Sequence, residues 1–339
     1  MKLKLAVAFG ILFLLTVSCD TQKTRSMNIY WIDVEGGTAT LIVTPSGQSV
    51  LMDAGWPTEE ERDAKRIVAA MENAGITEID YFLVSHFHDD HIGGLPALAK
   101  RVPIGQFYDY GNGIEQNNES IQKGLDDYIA TAKENRHITV AGDKLPLTGI
   151  DFTFVASHGG VLNQGLANPE SNTRCDNATF PSEFNLENSQ SLGYILSLGE
   201  FQFLNLGDLT ENIQHKLACP TNLLGIVDLY QVPHHGDDLA PQLNIAIAPT
   251  VAVINNGAHK GGGPEGFEVI SAIPSIKEIW QLHRGLTTDD AHSASAQKTA
   301  NLTEENDAGH WIKATVSADG SSYTIENGRN GHSEQYLTK

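Results

Sequence analysis

Basic residues are scarce in this chain. Against 42 Asp and Glu there are only 22 Lys and Arg, a formal net charge of −20 over 339 residues. A surface this acidic repels phosphate backbones and disfavours non-specific binding of bulk nucleic acid. Cysteine is rare too, at three residues, Cys19, Cys175 and Cys219. The apolar run Leu5 to Val17 is too short for a comfortable membrane span. There is no internal repeat and no long low-complexity tract. What remains is ordinary for a globular protein: 40% hydrophobic and 19% charged residues. The length allows one large domain or two small ones.

The first residues read as an address rather than as fold. Lys2 and Lys4 precede the apolar run, and Ser18-Cys19 ends it. A small residue before Cys at that place resembles a bacterial lipoprotein processing site. Residues 1–18 are therefore expected to be a signal peptide and Cys19 the lipidation site. Residues 19–26 would be a tether, and the protein would be exported, periplasmic or cell-surface, and held to the membrane by its lipid. Plain secretion and an uncleaved anchor are the alternatives. An exported compartment permits disulfides, so Cys175 and Cys219, both in loop-like contexts, are expected to pair.

Along the chain, Met27 to Val34 reads as a strand, and Thr38 to Thr44 with Ser49 to Asp53 as a hairpin. Thr58 to Ala74 reads as a helix capped by Thr58, with Glu59, Glu60 and Glu61 at its positive end. Strands follow at 79–84 and 102–107, a helix at 119–136 and a strand at 150–156. The segment 161–187 has no clear period; it reads as a substrate-side loop, pinned by Cys175. A hairpin at 191–206 precedes alternating helices and strands to residue 282, and a last hairpin spans 310–325. This order supports α/β or α+β.

The most informative stretch is Ser85-His86-Phe87-His88-Asp89-Asp90-His91. Three imidazoles and two carboxylates follow directly on a buried strand. Imidazole suits zinc and iron, and carboxylate adds charge and can bridge ions. One divalent ion hardly uses so many ligands, so the density points to two adjacent ions. A histidine-rich surface turn arising by chance is the competing reading.

The pattern His-x-His-x-Asp-His resembles the signature of the metallo-β-lactamase superfamily. Asp33-Val34-Glu35-Gly36-Gly37-Thr38 and His234-His235-Gly236 further resemble motifs of the hydrolase domain of DNA-uptake competence proteins. The resemblance, which runs from about Asn28 to about Leu282, implies an αββα sandwich of two mixed sheets with helices outside, and the domain is expected to span residues 27–339 with the last hairpin as an extension. It implies that His86 and His88 hold a first divalent ion, Asp90 and His91 a second, and that Asp208 bridges both. One of His234 and His235 completes the second site. His234 is favoured because it comes first after its strand; His235 then contacts substrate or acts as an acid. Asp53 would orient the ligand turn. Most of the superfamily places one more histidine between the turn and the bridging aspartate. Here that region is Glu187-Asn188-Ser189-Gln190-Ser191. Asn188 and Ser191 are then expected to line the site, and the first ion to bind more weakly unless His158 substitutes. Lys260 is a candidate for pairing a substrate anion. His283 also ends a strand and is weighed as a site candidate against a plain structural histidine, while His292, His310 and His332 read as surface or packing residues.

The expected activity is hydrolysis of a small or exported phosphoester with two divalent ions, zinc by ligand type, with manganese or iron as alternatives. Hydrolysis of a lactone, amide or thioester, including β-lactams, is a second possibility. A lipid-anchored metal-binding surface protein without catalysis is a third.

Overall fold

The computed structural model describes residues 25–115, 117–166, 171–175, 186–303 and 308–339. The expected signal peptide, Cys19 and most of the tether lie outside the described residues. Among the described residues, no helix is long and apolar enough to cross a membrane.

Successive side chains of a strand leave opposite faces of its sheet. In Met27–Trp31, Met27, Ile29 and Trp31 enter one core and Tyr30 another. In Thr40–Val43 and Ser49–Met52, Ile42, Val50 and Met52 join the first core, while Leu41, Val43 and Leu51 join the second. This sheet is therefore apolar on both faces and needs a cover on each. A second sheet covers one face, contributing Phe152, Tyr194, Phe203 and Trp280 to the shared core. Helices Arg62–Ala74 and Glu119–Ala132 cover the other through Ile67, Met71, Ile121 and Tyr128. The outer face of the second sheet is closed by Ile213 and Leu217 of Glu211–Ala218, Leu243 and Ile247 of Pro241–Ile247, and Ile270 of Pro264–Ser271. Each fully buried side chain of this size is worth about 1.5–3 kcal/mol. The result is two mixed sheets face to face with helices outside, as the resemblance implied.

Among the described residues the first sheet has nine strands. Their order is Ser333–Leu337, Ser322–Asn327, Ile312–Val316, Met27–Trp31, Thr40–Val43, Ser49–Met52, Ile79–Leu83, Ile104–Asp109 and Arg136–Ile138. The second has eight, in the order Thr299–Asn301, Glu278–His283, Val251–Ile254, Leu229–Gln231, Phe201–Asn205, Gly193–Leu198, Asp151–Ser157 and Gly160–Val161. Ser49–Met52 runs parallel to Ile79–Leu83. In the other sheet, Phe201–Asn205, Leu229–Gln231 and Val251–Ile254 are mutually parallel. Parallel neighbours end on the same side, so these five strands deliver Asp53, the turn at 85–91, Asp208, His234–His235 and Lys260 from their C-terminal ends.

Several expectations need correction. The first helix starts at Arg62, not Thr58. Glu61 takes a left-handed conformation, and the Thr58 hydroxyl accepts the Arg62 amide at 2.8 Å from outside the helix. Glu59 to Glu61 thus precede the first turn. The helix at Glu119 ends at Ala132, because Lys133 turns to positive φ. Arg136 instead opens an edge strand and clamps Asp109 with two contacts of 2.7 and 2.8 Å. The last hairpin is no appendage. Ile312–Val316 pairs with Met27–Trp31, and Ser333–Leu337 adds an unexpected strand beyond it. Cys175 and Cys219 form a disulfide with Cα atoms 5.6 Å apart. This ties the middle of the expected substrate-side loop to the end of helix Glu211–Ala218. Residues 167–170 and 176–185 of that loop lie outside the described residues.

Candidate metal centre

The ligand turn is locked from both sheets before any ligand is considered. The Ser85 carbonyl accepts from Leu192 N at 2.8 Å, and Val84 N donates to Tyr108 O at 3.0 Å. Asp53 completes the hold. Its Oδ1 accepts the Ser85 amide at 2.7 Å, and its Oδ2 accepts the Ser85 hydroxyl at 2.7 Å and His91 Nδ1–H at 2.8 Å. With Nδ1 donating to a carboxylate, His91 presents Nε2 inward. Asp53 is an orienting residue in this geometry. Behind the turn, a Cβ on Gly94 would lie 2.0 Å from Ala54 O, so only glycine fits there.

Four buried side chains converge: Asp90, His91, Asp208 and His235 each offer one ligand atom, all within 4.8 Å of one another. His91 Nε2 lies 3.1 Å from Asp208 Oδ2 and 3.2 Å from Asp90 Oδ2. His235 Nε2 lies 3.2 Å and 3.3 Å from the same two oxygens. His235 Nδ1 donates to the Asn255 carbonyl at 3.1 Å, so its Nε2 also faces the centre. Asp208 follows Gly207, whose φ of +56° and close approach to Ser85 suit glycine.

The preference for His234 over His235 is therefore corrected. Both residues take left-handed backbone, φ 49° and 55°, and their side chains diverge. His235 is fully buried in the cluster, which removes it from the expected substrate-contacting place. His234 sits at the rim, with Nε2 4.0 Å from Asp208 Oδ2 and Nδ1 3.0 Å from Asp238 Oδ2.

Beside this group, His86 Nε2 and His88 Nδ1 lie 2.9 Å apart, a pair that can share one cation. Asn188 stands near: its Nδ2 is 3.1 Å from His234 Nε2, and its Oδ1 is buried without a hydrogen-bond partner. An orphaned buried oxygen beside histidines is what a cation satisfies. Ser191 does not line the site as expected. It is buried, and its hydroxyl accepts the Asp208 amide at 3.3 Å, which helps position that carboxylate. His158 is exposed and stacks on Tyr110 at 6.0 Å. Lys260 Nζ bonds the Asp90 carboxylate, lies 3.3 Å from His235 Nε2, and sits 5.3 Å above the Trp56 ring.

Burial and charge oppose each other throughout. Burial disfavours the carboxylate form of Asp90 and Asp208, yet His91 and His235 hold both carboxyls well below their usual range. Burial also disfavours charge on His91, but Asp208, Asp90 and Asp53 hold it well above its ordinary value. A cation bound at Nε2 would take the place of that proton. Burial, with His91 and His88 adding to it, pushes His86 well below its ordinary value and leaves a neutral ring ready to ligate.

Two features escaped sequence reasoning. Glu187 is fully buried, and its carboxylate accepts Phe87 N at 3.2 Å, Ile114 N at 3.1 Å and the Tyr110 hydroxyl. It anchors the backbone between His86 and His88 from 100 residues away. An acid inside the otherwise uncharged run Asn185 to Ser191 was the available signal. His283, which the sequence left undecided at its strand end, is 1% exposed. It contacts Asp33 Oδ1 at 2.8 Å and Glu35 Oε1 at 3.4 Å, forming a second His–carboxylate cluster.

Residues 32–161 match the family model of the Metallo-beta-lactamase superfamily. The chain is 29% identical over 184 residues to a metal-dependent hydrolase of Cupriavidus necator, covering 53% of this chain and 55% of that one. It is 35% identical over 63 residues to a hydroxyacylglutathione hydrolase of Stenotrophomonas maltophilia, covering 19% of this chain and 21% of that one. The chain thus spans about half or less of the length of these relatives. Among solved structures, the metallo-β-lactamase fold protein YhfI of Bacillus subtilis matches with a TM-score of 0.43 at 11% identity, covering 75% of this chain and 95% of that one.

Proposed function

We propose that this chain, whose residues 32–161 match the metallo-β-lactamase superfamily, is an exported metal-dependent hydrolase that cleaves a small phosphoester. The observation that carries the reading is the buried convergence of Asp90, His91, Asp208 and His235 beside the His86–His88 pair. His86 and His88 would hold one divalent ion, Asp90, His91 and His235 the other, with Asp208 between them. Bound divalent ions would supply an activated water and neutralise charge developing on the reacting oxygens. The chain's own residues do the rest. Asp53 and the Asn255 carbonyl aim the Nε2 atoms of His91 and His235. Ser191 and Gly207 set Asp208, and Glu187 holds the turn. Zinc suits the imidazole-rich donor set; manganese and iron suit it too.

The phosphoester choice is supported by the competence-type His-His-Gly motif and by Asn188 standing where a histidine is usual. The net charge of −20 favours a small substrate over bulk nucleic acid. A lactone, amide or thioester substrate is the second reading, favoured by the hydroxyacylglutathione hydrolase among the relatives. Export with a lipid on Cys19 is supported by the run ending at Ser18-Cys19 and by the Cys175–Cys219 disulfide. Elemental analysis, with a chromogenic panel of phosphodiester, phosphomonoester, lactone and β-lactam, tests the activity. Metal-dependent turnover of phosphodiester is expected. Turnover of lactone or β-lactam alone would move the assignment to the second reading, and no metal with no turnover would leave a non-catalytic surface protein. Mass spectrometry of the mature N-terminus tests the address; an unmodified N-terminus beyond residue 19 would refute lipidation.

A further inference from the structure

Lys260 shares a carboxylate oxygen with the metal centre. Its ammonium bonds Asp90 Oδ2, the same oxygen that lies 3.2 Å from His91 Nε2 and 3.3 Å from His235 Nε2. A divalent ion held by those three residues and this ammonium both require that atom, and two cations repel at such range. The backbone beneath Lys260 is fixed. Gly257 N donates to Lys260 O at 2.8 Å, Gly262 N donates to His235 O at 2.7 Å, and Gly36 packs against the Lys260 backbone oxygen and Cβ. Only the side chain is free to move. It has somewhere to go, because it is 37% exposed and already lies over the half-buried Trp56 ring, a surface that stabilises ammonium groups. Lysine suits this role better than arginine would, being a point charge on a flexible stem.

We propose that Lys260 is a displaceable internal cation: its ammonium competes with the second divalent ion for Asp90 and, once displaced toward Trp56, receives the anionic group of the substrate. The inference rests on the metal-centre reading above and adds to it a residue that couples metal loading to substrate binding. No proton or bond changes hands; one cation replaces another on the same oxygen.

The test is a zinc titration of the metal-stripped full-length protein and of Lys260→Met and Trp56→Phe, read by competition with a chromophoric chelator and by tryptophan fluorescence. The wild type should bind the second ion about tenfold more weakly than Lys260→Met. Its fluorescence should change as that ion binds, and both Lys260→Met and Trp56→Phe should lose that change. With zinc saturating, Lys260→Met should raise KM for an anionic substrate at least about tenfold while changing kcat much less, and leave KM for an uncharged ester unaltered. Equal or weaker binding of the second ion by Lys260→Met would overturn the competition. An unchanged KM for the anionic substrate would overturn the substrate role. If neither wild type nor variant bound zinc, the metal-centre reading itself would fall and this inference with it.

Discussion

Among the described residues, two clusters are built from similar His and carboxylate side chains. Asp33, Glu35 and His283 form one, and Asp90, His91, Asp208 and His235 form the other. They differ in how their negative charge is met. In the first, Arg66 reaches Asp33 Oδ2 at 2.9 Å and Glu35 Oε1 at 3.7 Å, with its side chain only 11% exposed. An arginine cannot give up its proton, and its planar fork occupies carboxylate lone pairs permanently. In the second, the cation at hand is a partly exposed lysine. Ligand-type residues in proximity therefore do not define a metal centre. A fixed counter-charge makes such a cluster structural, and a displaceable one leaves it open to an ion. The structural cluster still serves the other. It holds the loop Asp33 to Thr38, whose Thr38 N donates to the Asp90 carbonyl at 3.0 Å.

The largest way to break the comparison is Asp208→Ala. It removes the carboxylate shared by His91 and His235, and turnover should fall by at least about a thousandfold, beyond the roughly 10–100-fold typical of outer partners. Elemental analysis should show metal lost from both positions; full retention would contradict a bridging role. Arg66→Ala attacks the other cluster. Leaving Asp33 with His283 as its remaining charged partner should cost about 1.5–3 kcal/mol in denaturant unfolding with no direct loss of metal ligands.

The next test uses pH. Burial opposes charge on His283, but its contacts with Asp33 and Glu35 raise it from its ordinary 6.5 to about 9. Because the folded value is the higher, the stabilisation is complete below about pH 6.5 and is lost as pH rises through about 9. His283→Gln should flatten the stability profile across that window, an effect on the order of 3 kcal/mol at most. An unchanged slope would refute the pairing. Asp53→Asn is expected to weaken metal binding by roughly 10–100-fold, through loss of His91 orientation, with the fold intact by circular dichroism. At the small end, His158→Ala should leave metal content and turnover within about twofold, since that ring packs on Tyr110 outside the cluster; a lost ion would restore His158 as a ligand.

Most of the architecture was legible because it is local. Val50 and Met52 alternating with Leu51 announce a two-faced strand, and the apolar run before Ser85 announces the strand that carries the ligand turn. Boundaries failed where a distant partner intervened. Arg136 continues a helical pattern by sequence, yet Asp109 draws it into a strand. The closing of the first sheet by Ile312–Val316 onto Met27–Trp31 depends on a pairing across nearly the whole chain, and no short window contains it.

The sequence by itself determined which residue types gather at the strand ends, because a turn of seven residues carries five possible ligands within its own length. It could not decide between His234 and His235. Adjacent residues in left-handed backbone point apart, and which one turns inward is settled by the Asn255 carbonyl just past the end of the neighbouring strand Val251–Ile254. Nor could it show that Arg66 balances Asp33 while Lys260 reaches Asp90. Those pairings join residues 33 and 170 positions apart, and only the packing of two sheets brings them within the few ångströms over which charge decides.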